Sequence, residues 1–538
     1  MNASELFVRA LENEGVQYIF GIPGEQNIEL LRAIKNSSIR LILTRHEQAA
    51  GFMAATYGRL TGRSGVCLAT VGPGATNLTT AAAYSQLGGM PMLMITGQKG
   101  ARGRHQGGFQ VVDVVRMMEP ITKYSRSIES AAAVPTAVRE AFRRAEEERP
   151  GAVHLELPED IATERVEGNP VKVSKWLRPV ANEKSIELAA HVISQARRPL
   201  VLAGLASNRN DGVPPALRRF VSTLGMPCFT SHLGKGAVDE RDPNWVGTSS
   251  VSRNDIVHSA VDEADCILSV GHDVMEKPPF VMWHDAQTVI HLNYTTAQVD
   301  PVYCPQYEVI GDVADSLQKL SDALQLCDVQ WDTTRAKQSR QKLDYQFESV
   351  ESDLRFPMHP LRVVHDLNNA MGPDGIVCLD NGLYKIWFAR HYRTCRPASL
   401  LVDNTLATMG AGLPSAIASK IVNPTRSVVA VCGDGGFMMN SQELETAIRL
   451  EIDLLVLVLR DDAFGMIEWK RKDPLAQGFG TAFGNPSFAQ YAMSYGATGH
   501  TLARAALLEP LISECFTAGG VHLIEVPIDY GIEPTLTA

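Results

Sequence analysis

The chain has 538 residues, of which 45% are hydrophobic and 20% charged, with a formal net charge of −10. That leaves ample apolar material for about three domains of ~150 residues each, and the lack of a basic run argues against nucleic acid or an anionic membrane as partner. The nine cysteines are odd in number with no C-x-x-C pair, the usage of reduced thiols in a cytoplasmic protein, and no apolar run approaches the ~20 residues that cross a bilayer.

The opening MNASELFVRALENEG reads as an amphipathic helix over 3–14 without the apolar core of a signal peptide. Strands are expected at 17–20, 40–43 and 65–70, with helices over 27–35 and 47–61 between them. AVHLELP (152–158) closes this first segment, residues 1–165. A charged, irregular stretch from Glu164 to Glu183 leads into a second segment, 184–330, with strands at 199–204, 266–271 and 289–294. Residues 331–355 are charged and read as a helical connector. The third segment, 356–538, carries the strands IVCLD, VVAVCG, LLVLVL and HLIEVP. Strands alternating with helices predict an α/β chain of three doubly wound parallel-sheet domains with right-handed crossovers.

Val428 to Ile467 is the most informative stretch. An apolar β-branched run ends in Gly433-Asp434-Gly435-Gly436, a helix-like segment follows, and a second apolar run ends in Asp461-Asp462. Ligands of parallel α/β units collect at the carboxyl ends of strands, and Asp434 and Asp461 are 27 residues apart, about one strand–helix–strand repeat. Two carboxylates there suit a hard cation such as Mg²⁺, which shares its oxygen ligands with phosphates. The glycines admit a phosphate to the N–H groups of a helix start. A Gly-Asp turn with no ligand is the plainer alternative. Glu47 opens a helix rich in small residues, where a carboxylate can simply complement the dipole. Ala69 to Asn77 is a glycine-rich turn into a helix, lacking the third glycine of a dinucleotide fingerprint.

In order and spacing these stretches resemble the thiamine diphosphate (ThDP)-dependent acetolactate synthases over nearly the whole chain, and more closely the flavin-free catabolic branch. Gly-Asp-Gly with Asn or Asp some 27 residues on is similar to the ThDP signature; Asp461 stands where the wider family most often has Asn and where catabolic enzymes have Asp. The run from Arg45 to Arg59 resembles the pyrimidine-domain signature, which implies that Glu47 hydrogen-bonds N1′ of the aminopyrimidine. That bond favours the imino tautomer, whose N4′ removes the C2 proton of the thiazolium. The turn at Gly72 and Asn77 matches the family's GPG-x-x-N, and Thr408 to Pro414 resembles its T-M-G-x-G-L-P. The resemblance makes Met409 the wedge between the cofactor rings and the Ala407 carbonyl the acceptor from N4′. It makes Asp434, Asp461 and the Ala463 carbonyl the metal ligands. Pro23, Gly24, Asn381, Gly382, Gly433, Gly435, Gly436 and Met466 then line the cofactor, with Phe464, Ile467 and Glu468 near the reacting carbon. Phe109, Gln110 and Glu25 face the substrate.

Departures bear on the reaction. Glu25 stands where acetolactate synthases carry Gly or Ala and simple decarboxylases carry Asp, whereas His105 is followed by Gln106 and lacks the paired histidine of pyruvate decarboxylases. Glu159 replaces a lysine of the biosynthetic enzymes. Val270 to Pro278 shows no likeness to their flavin-binding run, so FAD is not expected. The resemblance implies a fold in the order pyrimidine, central and diphosphate domain, and a homo-oligomer, dimer or tetramer, with its sites at the subunit interface. It implies ThDP and Mg²⁺ as cofactors. The implied reaction decarboxylates a 2-oxo acid, pyruvate first, and ligates the fragment to a second 2-oxo acid, giving acetolactate and CO₂. The alternatives are a non-ligating decarboxylase that releases an aldehyde and a non-catalytic ThDP-binding homologue.

Overall fold

A computed structural model describes residues 1–102, 108–174, 177–209, 212–250, 255–276, 287–299, 303–471 and 478–531. They form three parallel-sheet domains with helices on both sides of each sheet. The first sheet holds β1 (Tyr18–Gly21), β2 (Arg40–Leu43), β3 (Gly65–Ala69), β4 (Met92–Gln98), β5 (Tyr124–Ser127) and β6 (Ala152–Pro158), in the order β2-β1-β3-β4-β6-β5. The second holds β7 (Pro199–Ala203), β8 (Cys228–Ser231), β9 (Trp245–Ser249), β10 (Cys266–Val270), β11 (Thr288–Asn293) and β12 (Tyr307–Ile310), in the order β12-β11-β10-β7-β8-β9. The third holds β13 (Ile376–Leu379), β14 (Leu400–Leu401), β15 (Val428–Gly433), β16 (Leu454–Arg460), β17 (Thr498–Thr501) and β18 (Val521–Pro527), in the order β14-β13-β15-β16-β18-β17. Every pairing is parallel, as the expected fold class requires. Central strands covered on both faces read as unbroken apolar runs, and β3, β4, β7, β10 and β13 are buried along their whole length.

The chain divides into two compact units. The first comprises 1–176, 405–424 and 438–452; the second comprises 177–404, 425–437 and 453–538. Leu6, Phe7, Leu11, Ile19, Leu68, Ile95, Phe142 and Leu155 centre the core of the first sheet. In the second unit, Val201, Leu217, Phe220, Leu268 and Leu292 belong to the core of the second sheet, and Val377, Phe388, Val431, Leu457 and Ile524 to that of the third.

The helix Glu47–Thr61 shows why small residues are needed where it lies. A Cβ at Gly51 would come 2.4 Å from the Ala81 Cβ, and one at Gly58 would come 2.0 Å from the Pro91 carbonyl oxygen. Its Thr56 hydroxyl donates to Ser415 Oγ at 2.9 Å on the helix Gly412–Val422, within the first unit. The segment after β15 differs from the single helix-like stretch read in the sequence. It is two helices, Asp434–Asn440 and Glu443–Arg449. Among the described residues no helix is long and apolar enough to cross a membrane.

Candidate active site

In a doubly wound sheet, neighbouring strands whose connections run to opposite sides leave a crevice at their carboxyl ends. In the first sheet that switch lies between β1 and β3. A Cβ at Gly21 would sit 2.2 Å from the Leu68 carbonyl oxygen, and one at Gly24 would sit 2.2 Å from Thr70 Oγ1, so the two loops close on one another. Thr70 donates to Gln26 Oε1 at 3.0 Å. Gly72 has φ +58, a backbone state that glycine adopts at little cost, and a Cβ there would lie 3.0 Å from the Gln110 Cβ. The glycine turn and Gln110 are therefore neighbours.

Glu47 is the first residue of its helix. Its Oε2 accepts from Asn77 Nδ2 at 2.9 Å, and its Oε1 lies 3.4 Å from the Cβ position of Gly74. The chain just before it is held by a residue the sequence reading missed. Buried Glu443 accepts from the amides of Arg45 and His46 at 2.9 and 3.1 Å and from Thr446 Oγ1 at 2.6 Å. Burial outweighs those bonds and pushes its carboxyl up to about 7. Asn440 Nδ2 donates to Gln48 Oε1 at 3.2 Å and to the Gly410 carbonyl at 2.8 Å, so the Met409 turn joins the helix that carries Glu47, all in the first unit. Ala407 has φ +55. That is a left-handed backbone state that glycine would adopt more readily than alanine. Met409 is half-buried. Glu25, Pro23, Phe109 (81% exposed) and Gln110 lie on the surface of the chain. His105 and Gln106 fall outside the described residues.

The second unit holds the acidic pair. Asp434 and Asp461 follow the adjacent strands β15 and β16. Asp434 Oδ2 accepts from the amides of Asp461 (3.3 Å) and Asp462 (2.8 Å) and from Asn485 Nδ2 (2.9 Å); its Oδ1 accepts from the Gly435 amide at 2.8 Å. Burial and then the Asp434 charge push the Asp461 carboxyl up to about 7, and burial raises Asp434 as well. Two buried carboxylates so close resist ionising together, and a divalent cation removes that conflict, so the pair fits the metal. Gly465 lets the loop pass 2.5 Å from Asp461 Oδ2, counted to its Cβ position. Ala463 bridges to Ala482, and its amide donates to Asp461.

The glycines after β15 are tight for internal reasons too. A Cβ at Gly435 would meet the Phe464 ring at 2.9 Å, and one at Gly436 would meet Asp380 Oδ2 at 2.5 Å. Tyr384 Oη accepts from the Gly433 amide at 3.1 Å. Asn381 Oδ1 accepts from Lys385, whose ammonium also donates to Asn404 Oδ1 at 2.8 Å and is pulled down to about 8 by burial. Gly382 begins the turn into the helix Lys385–His391. Met466 is half-buried against the core of the third sheet, while Ile467 is 55% exposed. Sequence reasoning missed Asn485, Tyr384 and Lys385; none stands in a motif that could have flagged it.

With this geometry in hand, comparison with known proteins is decisive about the family. Three profiles match in order: the thiamine pyrophosphate enzyme N-terminal TPP binding domain over residues 1–117, the central domain over 186–320, and the C-terminal TPP binding domain over 380–526. The chain belongs to the thiamine pyrophosphate enzymes. Its full-length relatives narrow the class. It is 32% identical to a catabolic acetolactate synthase of Raoultella terrigena, covering 99% of this chain and 96% of that one. It is 32% identical to an acetolactate synthase of Bacillus subtilis (98% and 93% covered) and 28% identical to the same organism's putative thiamine pyrophosphate-containing protein YdaP (99% and 92%). The chain is an enzyme of the ThDP-dependent acetolactate synthase type, and both the resemblance and the fold class read from the sequence are borne out.

Proposed function

We propose that the enzyme joins two molecules of pyruvate, consuming one proton and releasing acetolactate and CO₂, with ThDP and Mg²⁺ as cofactors. The observation that carries this reading is the convergence of Asp434 and Asp461 at adjacent strand ends, in a chain whose full-length relatives include acetolactate synthases. When bound, ThDP supplies the electron sink for the carbanion left by decarboxylation. Asp434, Asp461 and the Ala463 carbonyl would hold Mg²⁺ and so neutralise the diphosphate, beside Gly433, Gly435, Gly436, Asn381 and Gly382. Glu47, aimed by Asn77, would hold the proton at N1′ of the aminopyrimidine. The Ala407 carbonyl would accept from N4′, Met409 would shape the pocket beside Pro23, Gly24 and Gly72, and Met466 would line the cofactor. Gln110 and Phe109 would orient the 2-oxo acid, and Glu25 would relay a proton.

The enzyme would work without flavin. In the second sheet the strand order reverses between β7 and β10. The Glu276 carboxylate occupies that mouth, accepting from Ser231 Oγ and, at 2.7 Å, from the Asp273 amide, with an oxygen 2.6 Å from the Cβ position of Gly204. An anion there repels a dinucleotide's diphosphate. The family is generally oligomeric, and exposed Phe109, Glu25 and Gln110 would be completed by a partner copy in a dimer or tetramer with sites at the subunit interface.

The test is product analysis by NMR after incubation with pyruvate, ThDP and Mg²⁺, with Glu47→Gln as control. Acetolactate that disappears in the control is the expected result. Acetaldehyde in its place would make this a decarboxylase with Glu25 as its proton relay, and bound cofactor without turnover would sink both readings.

A further inference from the structure

We propose that His500, Cys515 and His522 form a site for a soft divalent cation of the Zn²⁺ class. It lies in the third sheet and is separate from the acidic pair.

β17 and β18 pair with Thr498 opposite His522 and His500 opposite Ile524. His500 and His522 are therefore two residues apart in register and project from the same face. The helix Leu508–Ala518 brings Cys515 to them. His500 Nε2 lies 3.2 Å from His522 Nδ1, Cys515 Sγ lies 3.7 Å from His500 Nε2, and the three ligand atoms all fall within 4.8 Å of one another. Tetrahedral Zn²⁺ with Zn–N about 2.05 Å and Zn–S about 2.3 Å sets its ligand atoms about 3.3 Å apart for N···N and about 3.6 Å for N···S. The two measured edges come close to both values.

His522 Nε2–H donates to the Gly519 carbonyl at 2.8 Å, which fixes the tautomer and leaves Nδ1 as a lone pair turned into the cluster. A backbone carbonyl behind the ring is the usual support of a metal-bound histidine. Cys515 and His522 are buried, whereas His500 is half-exposed and leaves a way in for the ion. Glu514 or a water would take the fourth position; Glu514 is the acidic group that acts on His500.

Uptake balances simply. The Cys515 thiol releases one proton to solvent, the His500 ring proton moves by exchange with solvent from Nε2, where it now bonds His522 Nδ1, to Nδ1, and the N–H···N bond between the rings gives way to two N–metal bonds. The mixed N and S donors select against Mg²⁺, which takes oxygen ligands. His522 lies at the amino end of β18, whereas the acidic pair follows the carboxyl ends of β15 and β16 in the same parallel sheet, so the role is a structural clasp between helix and sheet.

The experiment titrates the full-length protein, loaded with ThDP and Mg²⁺, with Co²⁺. One equivalent is expected to give the intense visible bands of a tetrahedral site with a thiolate-to-cobalt band in the near ultraviolet, and Zn²⁺ is expected to displace it. Cys515→Ser is expected to abolish the thiolate band, and His500→Gln to weaken binding at least about 100-fold, both with acetolactate formation unchanged. His500→Gln, at a half-exposed ring, serves if Cys515→Ser does not fold. No tetrahedral spectrum from folded wild-type protein overturns the proposal. A thiolate band that survives in Cys515→Ser overturns it as well, by assigning the metal to exposed Cys304 or Cys327.

Discussion

The first and third sheets thread their strands in the same order, counted from each sheet's own first strand, and finish those strands with opposite chemistry. β3 and β15 occupy the same place in that order. One runs into the neutral turn around Gly72, the other into Gly433-Asp434-Gly435. β4 ends in Gln98, which donates to Glu156 and to the Val112 carbonyl, whereas β16 ends in Arg460 and leads into Asp461. In the first domain Glu47 comes from a helix and is aimed by an amide; in the third the acidic pair come from strand ends and press on one another. A shared scaffold thus fixes where a site can form, and a few residues past the strand ends decide whether it presents a single aimed carboxylate or a coupled pair.

That division can be broken experimentally. The largest effect is expected from Glu47→Gln, which should lower turnover by about 10²–10⁴-fold and leave intact the rise in melting temperature given by ThDP with Mg²⁺. A control that also loses the thermal shift would mean Glu47 serves affinity, and the comparison would collapse. Asp434→Asn is the converse: the shift with Mg²⁺ and ThDP should vanish, and turnover at moderate Mg²⁺ should fall at least about 100-fold. Glu443 sharpens the contrast, because it holds the backbone ahead of Glu47. Its folded value near 7 lies above the ordinary 4.5, so the stability it permits is complete below about 4.5 and is lost as pH rises through about 7. Urea melts at several pH values should show a loss of up to about 3 kcal/mol across that window, and the difference from Glu443→Gln isolates it. The smallest effect is expected from Ala407→Gly. Relief of the left-handed alanine and the added freedom of the unfolded chain nearly cancel, so stability should move by less than about 1 kcal/mol, with turnover unchanged because the carbonyl stays.

How much the sequence disclosed follows the same physics. Central strands such as β7, β10 and β16 are unbroken apolar runs and were legible to within a residue or two. Three strands at sheet edges carry no such run. β5 is YSRS, β17 is TGHT and β14 is two leucines, so each exists by pairing with a neighbour rather than by its own pattern. β4 escaped because methionines and Gly97 dilute its β signal, although all seven residues are buried. In the site, residues in compact motifs were readable: Glu47, Asp434 and Asp461. Asn485 was not. It reaches Asp434 across 51 residues of chain, at a distance only the fold sets.

The first compact unit is stitched from three separated pieces, and the last is indispensable to Glu47. The backbone ahead of that residue is held by Glu443, 398 positions after Arg45, and Gln48 is bonded by Asn440. During synthesis at about 5–20 residues per second, the helix bearing Glu47 must wait roughly 20–80 s for these partners to be made. Nascent chains shorter than about 450 residues therefore carry Glu47 but not its supports, and a truncated product should be misassembled rather than a working fragment.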